Sequence, residues 1–451
     1  MTHALQVLVI GGDAAGMSAA GQVTRSLGAD VAVTVLEQQS WTSYSACGIP
    51  YWIAGEVDGP DALVARSPQE HRERGIDVRT GLRATAIDPA DRVVSAVPMS
   101  GGQVQHFPFD HLVIGTGAHP LAPPIPGLDL PGVHHVQTLD EAQAAIDTLA
   151  RAPRHAVVLG AGYIGVEMAE ACVTRGLATV VVERAPHPLG SMDPEMGALV
   201  RQALTAGGVA VHTDEAVREI LAGEDGGVRA VVTDHREIPA DIVFVGLGVT
   251  PRSELARAAG LPIGEFGGIL TDDRQQVLGH ERIWSGGDCV EVIDRLTGQR
   301  RFLPMGTHAN KHGRVIGLNI AGGDARFPGV VGTVITKFCA TEIARTGLSE
   351  SEVADPVSRL IQTTTATGYM PDACPMAVKI IADRADGRVV GTQIVGGAGA
   401  GKRIDTAATA IWNGMTAEQI VGLDLAYSPP FSGVWDPVQV AARALASSLA
   451  R

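Results

Sequence analysis

The sequence lacks three features: cysteines at metal-binding spacing, a long apolar run and an excess of positive charge. Its 5 cysteines are an odd number without metal-ligand spacing, so neither a secreted disulfide framework nor a metal site is expected. The apolar run from Leu5 to Ile10 is too short for a signal peptide or a membrane span. A net charge of −14 argues against nucleic acid or an anionic membrane as a partner. We therefore expect a cytoplasmic protein of several domains.

A dinucleotide-binding motif begins at residue 5. The stretch 5–10 is apolar throughout, as in a buried parallel strand, and it leads into a glycine-rich turn and a helix of small residues. In such a fold the helix N-terminus faces a pyrophosphate, and an acid at the end of the next strand contacts ribose hydroxyls. Asp13 stands where the fingerprint has its middle glycine. The predicted cofactor contacts are Gly11, Gly12, Ala15, Gly16 and Glu37.

The motif recurs after a second apolar strand at 155–159, this time with all three glycines. Two such folds imply two nucleotides, and a flavin with a nicotinamide is the productive pair. The acid Glu183 at the end of the following strand favours NADH, since it would repel a 2′-phosphate. Arg184 beside it is the residue type that accepts that phosphate, so NADPH stays open. The predicted contacts are Gly160, Gly162, Ile164, Gly165 and Glu183.

Three later segments complete the two nucleotide-binding units. The strand of 110–117 closes on a small-residue turn, and 283–288 combines a strand, a glycine pair and an acid. The strand of 240–248 returns to the second unit. We expect flavin contacts from the first two segments and a nicotinamide contact from the third. These residues are Thr116, Gly117, Gly287 and Asp288, with Gly248 in the third segment.

With these motifs in this order, the chain resembles the FAD-dependent pyridine nucleotide–disulfide oxidoreductases. The Ser-x-x-x-Cys-Gly-x-Pro-Tyr run around Cys47 is similar to their single-cysteine branch, which includes coenzyme A-disulfide reductases, NADH oxidases and peroxidases, and persulfide reductases. The segments 426–431 and 435–437 resemble coenzyme A-disulfide reductases most. The resemblance implies an α/β fold with two interleaved Rossmann-like domains and a C-terminal α+β dimerisation domain. Its expected boundaries are 1–118 with 250–325 for FAD, 119–249 for NAD(P)H and 326–451 for dimerisation.

The resemblance also implies the roles of individual residues. Cys47 would form a mixed disulfide with coenzyme A, while Tyr427 and Tyr369 would reach in from the partner subunit of a homodimer. Tyr163 would gate the nicotinamide face of the flavin, and the carboxylate of Glu167 would lie near flavin and nicotinamide. The implied contacts of the substrate thiol are Gln22, Arg25 and Ser43.

Departures from the family pattern affect the choice of substrate. Peroxidases and many oxidases carry a histidine where this chain has Ala14, which lowers the expectation of peroxide chemistry. Coenzyme A-disulfide reductases often have asparagine at the position of Ala46 and histidine at that of Ala366, so the identity of the thiol stays open. A two-cysteine reductase would have its second thiol at the position of Trp52.

We therefore expect an enzyme that uses NAD(P)H to reduce coenzyme A disulfide, or a related small disulfide or persulfide, through FAD and Cys47. We also expect Cys47 to begin a helix whose dipole lowers the pKa of the thiol. One alternative is an NAD(P)H oxidase in which Cys47 cycles through sulfenic acid. Another is a flavin-bearing redox sensor or electron carrier.

Overall fold

A computed structural model describes residues 4–450 of the chain. The first elements are β1 (Leu5–Ile10), α1 (Ala14–Leu27), β2 (Val31–Leu36), α2 (Ile49–Ala54), α3 (Pro68–Glu73), β3 (Ile76–Arg79), β4 (Leu82–Asp88), β5 (Val93–Pro98), β6 (Gln105–Pro108) and β7 (His111–Ile114). The next are β8 (Ala118–Pro120), β9 (Val133–His134), α4 (Leu139–Leu149), β10 (His155–Leu159), α5 (Tyr163–Thr174), β11 (Ala178–Val182), α6 (Pro194–Ala206), β12 (Ala210–His212), β13 (Val217–Ala222), β14 (Val228–Thr233), β15 (Glu237–Pro239), β16 (Ile242–Val245) and β17 (Val249–Pro251).

The remaining elements return to the first unit and then form the C-terminal one. They are α7 (Glu254–Ala258), β18 (Ile283–Ser285), β19 (Val292–Ile293), β20 (Arg300–Arg301), α8 (Gly306–Ile320), β21 (Val334–Phe338), β22 (Thr341–Gly347), β23 (Pro356–Thr364), β24 (Pro375–Asp383), β25 (Val389–Gly396), α9 (Ile404–Trp412), α10 (Ala417–Val421) and α11 (Pro437–Leu449). Short 3₁₀ turns lie at Gly28–Asp30, Ala46–Gly48, Pro60–Leu63, Glu350–Glu352 and Gly401–Arg403.

Two parallel five-stranded sheets confirm the predicted pair of Rossmann-like units. The first has the order β18-β7-β1-β2-β3 and the second the order β12-β11-β10-β16-β9. Strand β18 joins the first sheet although it follows the second in sequence, so the two units are interleaved. The chain passes between them through the antiparallel pair β8 and β17. Because the order of each sheet reverses beside its first strand, a crevice opens at the carboxyl ends of the strands.

Buried aliphatic side chains on both faces explain why the central strands lie inside each unit. In β1 and β2, Val7, Val9 and Val33 are buried on the face that packs against α1 and α8. Leu8, Ile10 and Leu36 are buried on the opposite face, against the antiparallel strands β4–β6, so these strands are covered on both sides. Helix α1 packs on this sheet and against α8, and its buried positions are small. Among residues 4–450, no helix has the length and apolar content needed to cross a bilayer.

The C-terminal unit is an antiparallel sheet of order β21-β22-β25-β24-β23, covered by helices α9 and α11. This confirms the predicted α+β character of the last part of the chain. Strand β21 lies at the edge of the sheet and packs against α5 of the second unit. The C-terminal unit therefore contacts the helix that follows the second glycine motif.

A buried lysine joins the C-terminal sheet to the second unit. Lys379 of β24 is 1% exposed, and its Nζ lies 2.9 Å from Asp193, 2.5 Å from Glu195 and 2.6 Å from Glu350. Gln393 donates a further hydrogen bond of 2.9 Å to Asp193. Although burial opposes the charge, the hydrogen bonds that Lys379 donates to Glu195, Glu350 and Asp193 raise its pKa above the ordinary value. The lysine therefore remains charged where the two units meet.

Replacing this lysine should loosen the contact between the two units. We expect Lys379→Met to lower the free energy of the first unfolding transition by about 3–5 kcal/mol, because the buried carboxylate of Asp193 would lose its counter-charge. Urea denaturation followed by tryptophan fluorescence measures the effect. Lys402→Met is the matched control, since Lys402 pairs with Asp405 on the surface and should contribute less than about 1 kcal/mol. Equal effects of the two substitutions would show that Lys379 does not stabilise the contact between the two units.

Candidate active site

A cleft of about 760 Å³ lies at the carboxyl ends of the first sheet and reaches the second glycine motif. Its volume is in the range of small-molecule sites. Nine of the residues predicted from sequence line it: Gly11, Gly12, Glu37, Cys47, Thr116, Gly117, Ile164, Glu167 and Asp288. The fold thus brings together segments separated by more than two hundred positions in the sequence.

The first glycine loop forms a concave backbone surface, here called the first cradle, in which Gly11 and Gly16 leave no room for a side chain. Gly11 has φ +104°, and a Cβ there would lie 2.1 Å from the carbonyl oxygen of Gly115. A Cβ on Gly16 would lie 1.9 Å from the carbonyl oxygen of Gly11. Glu37 accepts the N–H groups of Gly12 at 2.7 Å and Gln39 at 2.8 Å, which fixes its carboxylate at the strand end. This arrangement fits a dinucleotide pyrophosphate and its adjoining ribose.

The second loop repeats this geometry closely. Gly160 has φ +91°, and its Cβ would lie 2.6 Å from the carbonyl oxygen of Gly246, while a Cβ on Gly165 would lie 2.0 Å from that of Gly160. Glu183 accepts the N–H groups of Ala161 and Ala185, both at 2.7 Å. The chain therefore contains two cradles of one design, as FAD and a nicotinamide nucleotide require.

The late glycine pair closes the first cradle from the other side. Gly287 has φ +84°, and a Cβ there would lie 3.0 Å from that of Ala15 on α1. His312 of α8 accepts the N–H of Gly287 at 3.1 Å and is buried. Asp288 accepts the N–H of Met305, and burial raises the pKa of its carboxyl. These contacts fit the predicted role of the segment beside a flavin.

Cys47 is exposed to the cleft in the 3₁₀ turn Ala46–Gly48, and α2 begins only at Ile49. The expectation that a helix dipole lowers its pKa is wrong. Partial burial raises the pKa of the thiol, and the carboxylates of Glu167 and Asp288 raise it further. The backbone hydrogen bond that favours the thiolate is the smaller effect. The protein surroundings therefore favour uncharged sulfur.

The C-terminal unit holds Glu167 in the cleft. Thr336 of β21 donates a hydrogen bond of 2.9 Å to Glu167, and the next residue, Lys337, pairs with Glu170 at 2.8 Å. Burial raises the pKa of Glu167, whereas the bond from Thr336 opposes that rise. Sequence reasoning missed Thr336 because it lies 169 residues from its partner and belongs to another unit.

Two predicted nicotinamide-side residues lie beside the cleft rather than on its wall. The hydroxyl of Tyr163 is 3.4 Å from Ser191 Oγ, and the aromatic ring is partly buried. Its neighbour Ile164 lines the cleft instead. Gly248 has φ +102° and precedes Val249, which is also a lining residue. The gating role of Tyr163 stays a prediction.

The two predicted tyrosines lie on loops that contact each other, and neither tyrosine lines the cleft of its own chain. Tyr369 is 72% exposed and Tyr427 is 47% exposed. The N–H of Thr367 donates 3.0 Å to the carbonyl oxygen of Pro429, which joins the two loops. A role at Cys47 would therefore require a second copy of the chain.

The residues predicted to contact a substrate thiol are divided between two places. Ser43 has φ +49° in the Cys47 loop, and its Oγ lies 3.0 Å from Nε2 of buried His71. Gln22 and Arg25 lie in the C-terminal half of α1, where Arg25 donates a hydrogen bond of 3.0 Å to Gln22. Among the described residues, no hydrogen bond or ion pair links Gln22 or Arg25 to Cys47.

The cleft also contains residues that the sequence did not single out as binding residues. Arg252 follows the linker strand β17 and lowers the pKa of Glu37, although burial raises it overall. Its carbonyl oxygen accepts the hydroxyl of Thr116 at 2.6 Å. The sequence signal that could have identified Arg252 is its position as a basic residue directly after strand β17. The other unpredicted polar lining residues include Asp13, Gln38, Gln39, Tyr44, Arg83, Thr85, Gln137, Thr138 and Glu254.

The other cysteines lie outside the cleft. Cys172 and Cys289 are buried, Cys339 is exposed on the turn after β21, and Cys374 is partly buried. Among residues 4–450, Cys47 alone brings a thiol to the cleft wall. Within the same range, no cluster of histidine, cysteine and acidic side chains could hold a metal ion.

Comparison with known families agrees with this geometry. Residues 5–310 match the family described as pyridine nucleotide-disulphide oxidoreductase, and residues 333–438 match the dimerisation domain of that family. The chain is 36% identical over 450 residues to the NAD(P)H coenzyme A polysulfide/persulfide reductase of Pyrococcus horikoshii, covering 98% of both proteins. It is 34% identical over 446 residues to an NADH oxidase of Methanocaldococcus jannaschii, covering 97% of this chain and 98% of that protein.

Among solved structures, the chain resembles a NAD-dependent persulfide reductase from A. fulgidus. The TM-score is 0.94 at 38% sequence identity, and the match covers 98% of this chain and 83% of that chain. Fold and sequence therefore point to the same family.

Removing the charge of Glu167 should make Cys47 more acidic. Because that carboxylate raises the pKa of the thiol, Glu167→Gln should lower the pKa of Cys47. The midpoint of the pH profile for alkylation by iodoacetamide measures the shift. Glu56→Gln is the control, since Glu56 acts on Tyr51 and Cys339 but not notably on Cys47. An unchanged midpoint in Glu167→Gln would show that this electrostatic explanation is wrong.

Proposed function

We propose, since the chain belongs to the pyridine nucleotide-disulphide oxidoreductase family, that it uses NAD(P)H to reduce coenzyme A disulfide or a related small disulfide or persulfide through Cys47. Its relatives place it more broadly among NAD(P)H-dependent flavoprotein reductases of the disulfide, persulfide and NADH oxidase type. The narrower proposal, that the substrate is a small disulfide or persulfide, is based on the residues that line the cleft.

One observation carries the proposal: among the described residues, Cys47 is the single thiol on a cleft wall that also carries the first glycine cradle and Glu167. A reductase that stores electrons in a disulfide of its own needs a second cysteine beside the first. Here the position five residues on is Trp52, which is buried. The second sulfur of a redox pair must therefore come from the substrate.

The chemistry is thiol–disulfide exchange followed by reduction. The thiolate of Cys47 attacks a disulfide R–S–S–R, a Cys47–S–S–R bond forms, and R–S⁻ leaves. Two electrons from NAD(P)H, with one further proton, cleave the mixed disulfide to the Cys47 thiol and R–SH. The sum is R–S–S–R + NAD(P)H + H⁺ → 2 R–SH + NAD(P)⁺. FAD, when bound, supplies the passage of electron pairs from the nicotinamide to sulfur.

The second glycine cradle supports NADH as the preferred reductant. Both oxygens of Glu183 are held by backbone N–H groups, so the carboxylate stays at the strand end. A 2′-phosphate would meet that negative charge. Arg184 is exposed beside it and would favour the 2′-phosphate of NADPH. Because the carboxylate of Glu183 is held in place, we propose NADH as the preferred reductant.

The exposed tyrosines support a homodimer in which each cleft is completed by the other chain. Tyr369, Tyr427, Phe431, Val434 and Trp435 form an aromatic and apolar surface with large exposed fractions. A surface of this kind marks an interaction site, and residues 333–438 match a dimerisation domain. In the proposed dimer, the hydroxyls of Tyr427 and Tyr369 orient or protonate the leaving thiol at Cys47 of the partner.

An NADH oxidase is the second candidate, because a relative of that name is 34% identical to the chain. In that reaction two electrons from NADH would first reduce O₂ to H₂O₂. The Cys47 thiol would then reduce the peroxide to water and become a sulfenic acid, and a second NADH would return it to the thiol with release of water. Ala14 occupies the position at which such enzymes often carry a histidine, which weighs against this reading.

The bound thiol should be visible by mass. Intact mass of purified protein under denaturing, non-reducing conditions should show an adduct on the wild type that dithiothreitol removes and that Cys47→Ser lacks. Cys374→Ser should retain the adduct, because Cys374 is outside the cleft. NADH oxidation should be rapid with coenzyme A disulfide in the absence of oxygen, and oxygen consumption without disulfide should be slow. Rapid oxygen consumption without disulfide turnover would favour the oxidase instead.

Subunit complementation tests the proposed contribution of the partner chain. Cys47→Ser and the double variant Tyr369→Phe/Tyr427→Phe should each reduce disulfide poorly. If each site combines Cys47 of one chain with the tyrosines of the other, equal mixing after subunit exchange should restore about a quarter of the wild-type rate. Both variants should still accept electrons from NADH into flavin at the wild-type rate. Absence of any restoration in confirmed mixed dimers would show that the tyrosines do not act on Cys47 of the other chain.

A further inference from the structure

Asp13 departs from the glycine fingerprint, and the second glycine loop shows what that departure means. Asp13 is the residue before α1, and Gly162 is the equivalent residue before α5; both have extended backbone. No described atom lies within 4 Å of a Cβ built on Gly162. A side chain at this position therefore projects into the open space in front of the helix. In the first loop, that space contains a carboxyl group.

The surroundings of Asp13 disfavour its charge. The carboxyl lines the cleft and faces Glu37 and Asp288, while the nearby backbone N–H groups of Tyr44 and Ala14 favour its charge. Burial, and then the repulsion of Glu37, raise its pKa to about 7 in spite of those two N–H groups. Ordinary aspartates ionise far below that value.

The cleft as a whole is acidic where an anionic cofactor must enter. Five carboxylic acids and two arginines line it: Asp13, Glu37, Glu167, Glu254 and Asp288 with Arg83 and Arg252. FAD has a pyrophosphate with two negative charges, and the fingerprint places that group at the turn before α1. An ionised carboxyl at this turn would repel it. A neutral carboxyl could donate a hydrogen bond instead.

We propose that Asp13 binds the FAD pyrophosphate as a neutral carboxylic acid, so that the chain takes up one proton when it takes up FAD. This step depends on the fit of the first cradle to FAD and not on the thiol chemistry at Cys47. It also gives a reason why an aspartate can replace the middle glycine of the fingerprint.

The direction of the pH dependence follows from the raised pKa. Below about pH 7 Asp13 already carries its proton, so the affinity for FAD should not change with pH. Above that pH the proton must be taken up on binding, and the dissociation constant should rise by up to about tenfold per pH unit. Tyr44 and Cys47 face Asp13 as well, but both have raised pKa values and stay protonated in this range.

FAD binding to the full-length chain tests the proposal. Flavin-stripped protein is titrated with FAD between about pH 6 and about pH 9, and quenching of flavin fluorescence gives the dissociation constant. The wild type should show the rise above about pH 7. Asp13→Asn and Asp13→Gly, the latter restoring the fingerprint, should remove it. Asp30→Asn, a matched substitution of an exposed acid just beyond α1, should keep it.

Calorimetry of the wild type keeps the test independent of how the variants fold. Titrations at about pH 8 in two buffers with different heats of ionisation should show uptake of about one proton per FAD. Uptake of no proton would overturn the proposal. A pH dependence retained in Asp13→Asn would assign the proton to Glu37 or Asp288 and would equally overturn it. Neither outcome bears on turnover of coenzyme A disulfide, so failure here is distinct from failure of the proposed function.

Discussion

The close approach of backbone to backbone at the two glycine cradles is the constraint on which the rest of the structure depends. At each cradle, the helix N-terminus lies against the strand end because three glycines leave no Cβ in the contact; in the first they are Gly11, Gly16 and Gly115. That approach directs helix N–H groups at the cleft. It also brings the loop that carries Cys47 onto the first cradle, since the N–H of Ser43 donates to the carbonyl oxygen of Gly12.

The sequence predicted the features that lie within one short, repeated segment, whereas contacts between segments far apart in sequence required the structure. Strand, glycine turn and terminal acid are contiguous, so the cradles and the roles of Glu37 and Glu183 at the strand ends could be found by pattern. Thr336 could not, because only the tertiary fold brings it to Glu167. The raised pKa of Cys47 could not be predicted either, because it results from burial by the tertiary fold and then from carboxylates on segments more than a hundred residues away.

The C-terminal unit contributes to the cleft in addition to its proposed part in dimerisation. Its strand β21 holds Glu167 through Thr336, and Lys379 binds carboxylates at the start of α6. Both contacts fix the second glycine unit from outside, where a change in its position would move Glu167 and Ile164 relative to Cys47. The packing of the C-terminal unit on the second unit therefore fixes the position of the Glu167 carboxylate relative to the Cys47 thiol.

The electrostatics at the thiol bear on which form of Cys47 the protein favours. With Glu167 and Asp288 facing it, the sulfur is more stable uncharged than as a thiolate. A mixed disulfide carries no charge on that sulfur, so the neighbouring carboxylates do not oppose it. A thiol of raised pKa is also a better nucleophile once ionised, so exchange with a disulfide loses less than the thiolate fraction alone would imply. The charges of the cleft thus support a sulfur that alternates between thiol and mixed disulfide.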